Sequence, residues 1–194
     1  ERSPYAPYMG YGKSKMLGEI EVSKVNNRLP VTIVRPAAVY GPRDRDWYKY
    51  FMIVKRGFQP LMGFGKKLLS LIYSQDLVDG IIASAEHPRA AGETYFLASE
   101  EYHTAQDVGQ VIARIQKRNP ICVRIPHAVL RALGAISEEF GKITGKPIFF
   151  NRDKVKDTLQ SAWICSVEKA KSHFGFRHQI SLEDGMMNTY SWYC

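Results

Sequence analysis

Tyr11-Gly-Lys-Ser-Lys15, then Val31-Thr-Ile-Val34, then Arg35-Pro-Ala-Ala-Val-Tyr-Gly-Pro-Arg-Asp44 form the stretch whose reading decides the fold. The first segment opens a helical pattern running from about Gly10 to Asn27, with Met16, Leu17, Ile20 and Val25 on one side and Pro30 beyond its end. Val31 to Val34 is apolar or β-branched at every position, the pattern of a strand buried on both faces of a parallel sheet. Such a strand calls for parallel neighbours on both sides, and nothing N-terminal to it in this chain supplies one.

Working outward, the spacing predicts a helix around Trp47 to Arg56, a strand over Leu68 to Tyr73, and a helix over Ser74 to Glu86 with Ser74 as its N-cap. A short strand is expected over Glu93 to Ala98. Thr104-Ala-Gln-Asp107 resembles a capping box opening a helix through Lys117. A strand at Ile121 to Ile125 leads into a helix from Pro126 to about Thr144, and three further helices are expected near Asp153 to Leu159, Ser166 to Phe174 and Ser181 to Tyr193. Alternating strands and helices indicate an α/β architecture, and the helices after Pro126 indicate a smaller, mostly helical lobe.

Composition narrows the class. With 194 residues, 45% of them hydrophobic, the chain can bury a substantial core, which excludes disordered and fibrous proteins. No apolar run approaches the roughly 18 to 20 residues that span a bilayer, and no signal peptide opens the sequence, so a cytoplasmic protein without a membrane partner is expected. Three distant cysteines, Cys122, Cys165 and Cys194, fit reduced thiols better than a disulfide framework. The net charge of +8 raises nucleic-acid binding. Along the sequence, however, the cations alternate with acids, as in Glu168-Lys-Ala-Lys171, so a generally basic surface is the favoured reading and nucleic acid is not expected.

Chemistry is carried by Tyr11 and Lys15. Four residues apart on a helix, they project from the same face. A phenol with a pKa near 10 is a poor acid or base at neutral pH, and a neighbouring ammonium favours the phenolate. Tyr11 could then exchange a proton with a substrate hydroxyl or carbonyl while Lys15 also donates to a bound cofactor. Alone, such a pair is also a common solvated surface feature.

In context, the ordered motifs resemble the extended short-chain dehydrogenase/reductase family of NAD-dependent epimerases and dehydratases. The helix, strand and turn from Tyr11 to Asp44 carry that resemblance, together with Gln75-Asp-Leu-Val-Asp-Gly80, Gly92-Glu-Thr-Tyr95, Ser172-His-Phe-Gly175 and Leu182-Glu-Asp-Gly185. It implies the C-terminal part of a Rossmann-like, doubly wound parallel sheet plus a small helical substrate-binding lobe. Residues 1–58 are assigned to the incomplete Rossmann-like domain and residues 59–194 to mixed segments that include the lobe, the two interleaved. It further implies that Tyr11 is the catalytic acid/base, that Lys15 orients the nicotinamide ribose, and that the backbone of Pro36, Ala37, Ala38 and Val39 lies along the nicotinamide. Arg43, Lys66 and Tyr73 are candidate substrate contacts. Arg35 and Asp76 carry a structural alternative, pairing or capping, and Tyr40 a packing one.

Two departures shape the expectation. No G-x-x-G-x-x-G or G-x-G-x-x-G loop occurs, so the main NAD or NADP site is expected in a glycine-loop half absent from this chain, which alone should be inactive. A homodimer or the missing N-terminal half is the expected partner. In addition, Leu69 stands where the nucleotide-sugar enzymes commonly carry an arginine for the diphosphate, and Arg43, Arg45, Lys66 or Lys67 could compensate. The expected function is therefore an epimerase or dehydratase acting on a nucleotide sugar. The alternatives are a hydroxysteroid dehydrogenase or dihydroflavonol reductase-like enzyme, and a non-catalytic binding relative.

Overall fold

The computed structural model describes residues 1, 3–7, 9–145 and 151–193. In chain order the elements are α1 (Gly10–Ser23), β1 (Ile33–Pro36), β2 (Ala38–Tyr40), α2 (Arg45–Lys55), β3 (Phe58–Met62), β4 (Leu68–Tyr73) and α3 (Ser74–Glu86). After a 3-10 turn at Pro88–Ala90 come β5 (Thr94–Leu97), β6 (Tyr102–Thr104), α4 (Ala105–Ile115), β7 (Ile121–Ile125) and α5 (His127–Thr144). The last four are α6 (Arg152–Thr158), β8 (Ala162–Trp163), α7 (Glu168–Phe174) and α8 (Leu182–Tyr193). This is an α/β protein, and its β1–β5, β2–β4, β3–β7 and β4–β8 pairings are all parallel.

Two compact units interleave along the sequence, one built from residues 1–43, 70–102 and 164–194, the other from 44–69 and 103–163. In the first, β1 pairs with β5 from Ile33 opposite Thr94 to Pro36 opposite Leu97. Burial drives this half: Ile72, Ala90, Tyr95, Leu97, Ala98, Val167, Ala170 and Phe176 form one apolar cluster, against which Val34, Ala37 and Val39 pack. Asp76 at the start of α3 is buried among these elements because its two carboxylate oxygens accept the backbone N–H groups of Gln179 (2.9 Å) and Ile180 (3.2 Å). That is the structural role the sequence left as one alternative.

In the second unit, β3 and β7 pair over their full length, Phe58 opposite Ile121 to Met62 opposite Ile125. Gly63 ends β3 at φ +84°, and a Cβ there would meet the His127 ring, so the turn requires glycine. Gln59 is buried and satisfied, its Nε2 donating to the Gln106 carbonyl at 3.0 Å. Thr104 and Asp107 form the expected capping box at α4, whose Val108, Val111 and Ile112 turn inward.

Some expectations need correction. Ser74 is the first residue of α3, not its N-cap; Tyr73 takes that place without a side-chain bond. The helix expected to Asn27 ends at Ser23 and continues as turns. Helix α1 buries none of its residues, so the side with Leu17, Ile20 and Val25 does not face this chain's core. The first strand begins at Ile33 and is half-buried rather than fully buried, and among the described residues it has one strand neighbour. Cys122 and Cys165 are free thiols, while Cys194 lies outside the described residues.

Candidate active site

Helix α1 starts from an extended Met9 whose carbonyl accepts the Lys13 N–H at 2.9 Å. Tyr11 lies in its first turn, 72% exposed, and the Lys15 Nζ stands 5.5 Å from the centroid of the Tyr11 ring. One helical turn of spacing thus brings the two side chains together as expected, with the ammonium over the aromatic face. Ser14 does not contribute to that face, since its hydroxyl donates back to the Tyr11 carbonyl at 2.8 Å.

The helix is tied down one turn further on. Glu19 follows Lys15 at the same i+4 interval, and its carboxylate is gripped by Arg35 of β1, with Nε donating at 2.9 Å and Nη2 at 2.6 Å. Tyr5 adds a further bond, its hydroxyl donating to Oε2 at 2.8 Å. The guanidinium itself sits between two rings, 5.0 Å from the Tyr5 centroid and 5.6 Å from that of Phe96 on β5. Hydrogen bonds from Arg35 hold the Glu19 carboxyl below its ordinary range, and the same carboxylate raises the Tyr5 hydroxyl. Arg35 therefore pairs, and it joins the Tyr11–Lys15 helix to the β1–β5 sheet. Glu19 and Tyr5 were not singled out from the sequence; the one available signal was that Tyr11, Lys15 and Glu19 continue a single i, i+4, i+8 row.

The remaining candidates are dispersed. Ala37 donates its N–H to Leu97 at 2.9 Å and, with Val39, packs on the core, whereas Pro36 and Ala38 are exposed. Arg43 is exposed after β2, in the left-handed region at φ 70°. Tyr73 is buried with its ring 5.6 Å from that of Tyr40, whose hydroxyl is pushed well up by burial. Lys66 belongs to the second unit and is exposed, and its neighbour Lys67 is engaged with the Thr158 carbonyl. A cavity of about 490 Å³ beside α5 and α6, lined by Arg131, Arg152, Val155, Lys156, Leu159 and Gln160, contains none of the candidates.

The model of the NAD dependent epimerase/dehydratase family matches residues 1–98, from before the Tyr11–Lys15 helix through β5. This chain belongs to that family. Among curated proteins it is similar to y4nL of Sinorhizobium fredii, 31% identical over 99% of this chain and 56% of that protein. It is also similar to the ceramide reductase of Caulobacter vibrioides, 24% identical over 94% of this chain and 56% of that one. The UDP-glucuronic acid 4-epimerase of Bacillus cereus, solved in complex with NAD, superposes with a TM-score of 0.73 at 18% identity, over 99% of this chain and 53% of that one. The chain thus spans about half the length of the relatives it matches, and the last likeness shows the same Rossmann-like fold for that portion.

For an NAD-dependent family member, the residues present fit part of the cofactor. The exposed Tyr11–Lys15 face offers a hydroxyl and an ammonium, and the exposed Pro36 and Ala38 put no polar or bulky side chain in the way of a planar ring. No G-x-G-x-x-G or G-x-x-G-x-x-G motif occurs in the sequence.

Proposed function

We propose that this chain supplies the proton-transfer part of an NAD(P)-dependent active site that acts on a hydroxylated substrate of the nucleotide-sugar class. The observation carrying this reading is the Lys15 ammonium 5.5 Å from the Tyr11 ring on one exposed face of α1. Bound NAD or NADP supplies hydride acceptance and return at the substrate carbon. Tyr11 takes the proton from the substrate hydroxyl as that bond to hydrogen breaks, and gives it back in the reverse step. Lys15, whose ammonium lies over the Tyr11 ring, donates to the nicotinamide ribose. The backbone of Pro36, Ala37, Ala38 and Val39 borders the nicotinamide. Arg43, in the same unit as Tyr11, offers a cation to a substrate diphosphate, and Tyr73, packed on Tyr40, has the least surface to add. A second copy of the chain or a glycine-loop half of the protein covers Leu17 and Ile20 on α1 and Val25 in the turns that follow it, and completes the cofactor site.

The test is turnover by the complete natural polypeptide with UDP-sugars, following epimer formation chromatographically and NAD(P)H by absorbance. Tyr11→Phe and Lys15→Met should each lower kcat by about 10²- to 10⁴-fold. Unchanged turnover in Tyr11→Phe would remove the residue from the chemistry.

A second reading is a reductase for an apolar ketone or alcohol. It is favoured by the half-buried Leu69, set opposite Trp163 in the β4–β8 pairing, where an arginine for a diphosphate was expected. The name of the ceramide reductase relative points the same way. Net NAD(P)H consumption with a long-chain ketone, and none with UDP-sugars, selects this reading.

A further inference from the structure

The positive charge of this protein is not shared between its two units. Residues 44–69 and 103–163 hold 16 Lys and Arg against 7 Asp and Glu, an excess of nine, whereas the remaining residues hold 11 against 12. The basic unit also carries α5, where Val129, Leu133, Ile136, Phe140 and Ile143 are all exposed, the last three by 67%, 60% and 84%. Their separations of four, three, four and three residues align them in one stripe along the helix. At about 100° per residue, no charged side chain of α5 falls within about 60° of the centre of that stripe. Arg131 and Lys142 lie on the far side. The stripe is not the packed face either, because Leu130 and Gly134 turn inward, Gly134 closing against Val155 of α6.

We propose that α5 docks this protein on an anionic lipid surface, lying in the plane of the interface with the stripe among the acyl chains and the basic unit drawn to the headgroups. Branched aliphatic side chains and a phenyl ring gain only from an apolar phase, which a bilayer provides and a nucleic acid backbone does not. A second copy of the chain would also bury the stripe, but it would bring together two units with nine excess positive charges each, a repulsion that an anionic membrane replaces with attraction. No helix among the described residues is long and apolar enough to cross a membrane, so α5 would lie on the bilayer rather than span it. The inference does not depend on the chemistry assigned to Tyr11 and Lys15.

The experiment is vesicle flotation of the complete natural polypeptide with phosphatidylcholine alone and with about 30% phosphatidylserine added. Binding is expected to the mixed vesicles, weakened at about 0.5 M NaCl. The variant Ile136→Ser/Phe140→Ser, altered only at exposed positions, should keep its thermal unfolding midpoint and lose binding by about tenfold or more. The milder Ile143→Ser checks the result if the pair unfolds. The proposal is overturned if the folded protein ignores mixed vesicles or if the variants bind as well as the parent. It is equally overturned if light scattering shows a dimer that the variants dissociate without any vesicle binding, which assigns the stripe to a second copy. Salt-sensitive binding to RNA that leaves the vesicles unbound assigns the charge to nucleic acid and likewise overturns it.

Discussion

Arg35 on β1 holds Glu19 on α1 in a two-pronged ion pair, Nε and Nη2 at 2.9 and 2.6 Å, with about a fifth of each side chain exposed. This pair fixes the helix on which Tyr11 and Lys15 stand, yet neither partner lies next to them in the same turn. Replacing Glu19 with Gln keeps the shape and removes the charge, leaving the guanidinium partly buried without its counter-ion. Destabilisation of about 1–3 kcal/mol is expected in urea unfolding. If the pair positions the Tyr–Lys face, the same variant should also lower kcat with little change in KM, and Glu19→Asp should recover part of it.

Acid should weaken the same contact. Arg35 holds the folded Glu19 carboxyl below its ordinary value of 4.5, so the pair contributes fully above that pH and is lost as pH falls through the lower folded value. Glu93, lowered by its bond from Lys169, and Asp107, lowered by Thr104, add to the loss in the same direction. Thermal midpoints measured from about pH 7 down to pH 3 should decline, and Glu19→Gln should flatten that decline. An identical acid limb in the variant would show that the pair carries no pH-dependent stability.

Elements bounded by clear punctuation were legible in the sequence to the residue. Strands β4 and β7 and helix α3 have the expected bounds because β4 is a mostly apolar segment between Lys67 and Ser74, β7 is closed by Pro120 and Pro126, and α3 runs from the end of β4 to the break at His87-Pro88, and the Thr104–Asp107 capping box is where its spacing put it. The two- and three-residue strands β2, β6 and β8 were not legible, since so short a segment has no period to read. On α1 the apolar positions gave the periodicity of a buried face, but burial depends on what lies opposite, and none of its residues is buried. The Tyr11–Lys15 pairing followed from helix geometry alone, whereas the Glu19–Arg35 bond needed the strand that follows the helix to return beneath it. The cations looked evenly mixed with acids along the chain because the two units interleave; only in space does the excess fall on one of them.

Packing at the centre of the first unit is tight enough for a single methyl to matter. A Cβ on Gly80 of α3 would lie 2.7 Å from the Phe176 ring and 2.8 Å from Leu97 Cδ1, both in the buried apolar cluster. Neither neighbour is the free end of a surface side chain, so Gly80→Ala should cost about 1–3 kcal/mol despite the better helix propensity of alanine. Denaturant unfolding reads this directly, and a neutral or stabilised variant would mean that α3 shifts away without penalty.

Asp76 offers the sharpest separation of structural from chemical roles, because it lies in the family-resembling segment Gln75–Gly80 and yet has both oxygens occupied by backbone N–H groups of Gln179 and Ile180. Asp76→Ala would leave two part-buried donors without their acceptor, with an expected loss of about 1–3 kcal/mol. Asp76→Asn retains one acceptor oxygen and should recover about half of it. If Asp76 only anchors the 179–180 segment, the Asn variant, once folded, should match the parent in KM and in the pH profile of turnover. A changed pH profile in a variant of near-parental stability would instead give the carboxylate a part in the chemistry.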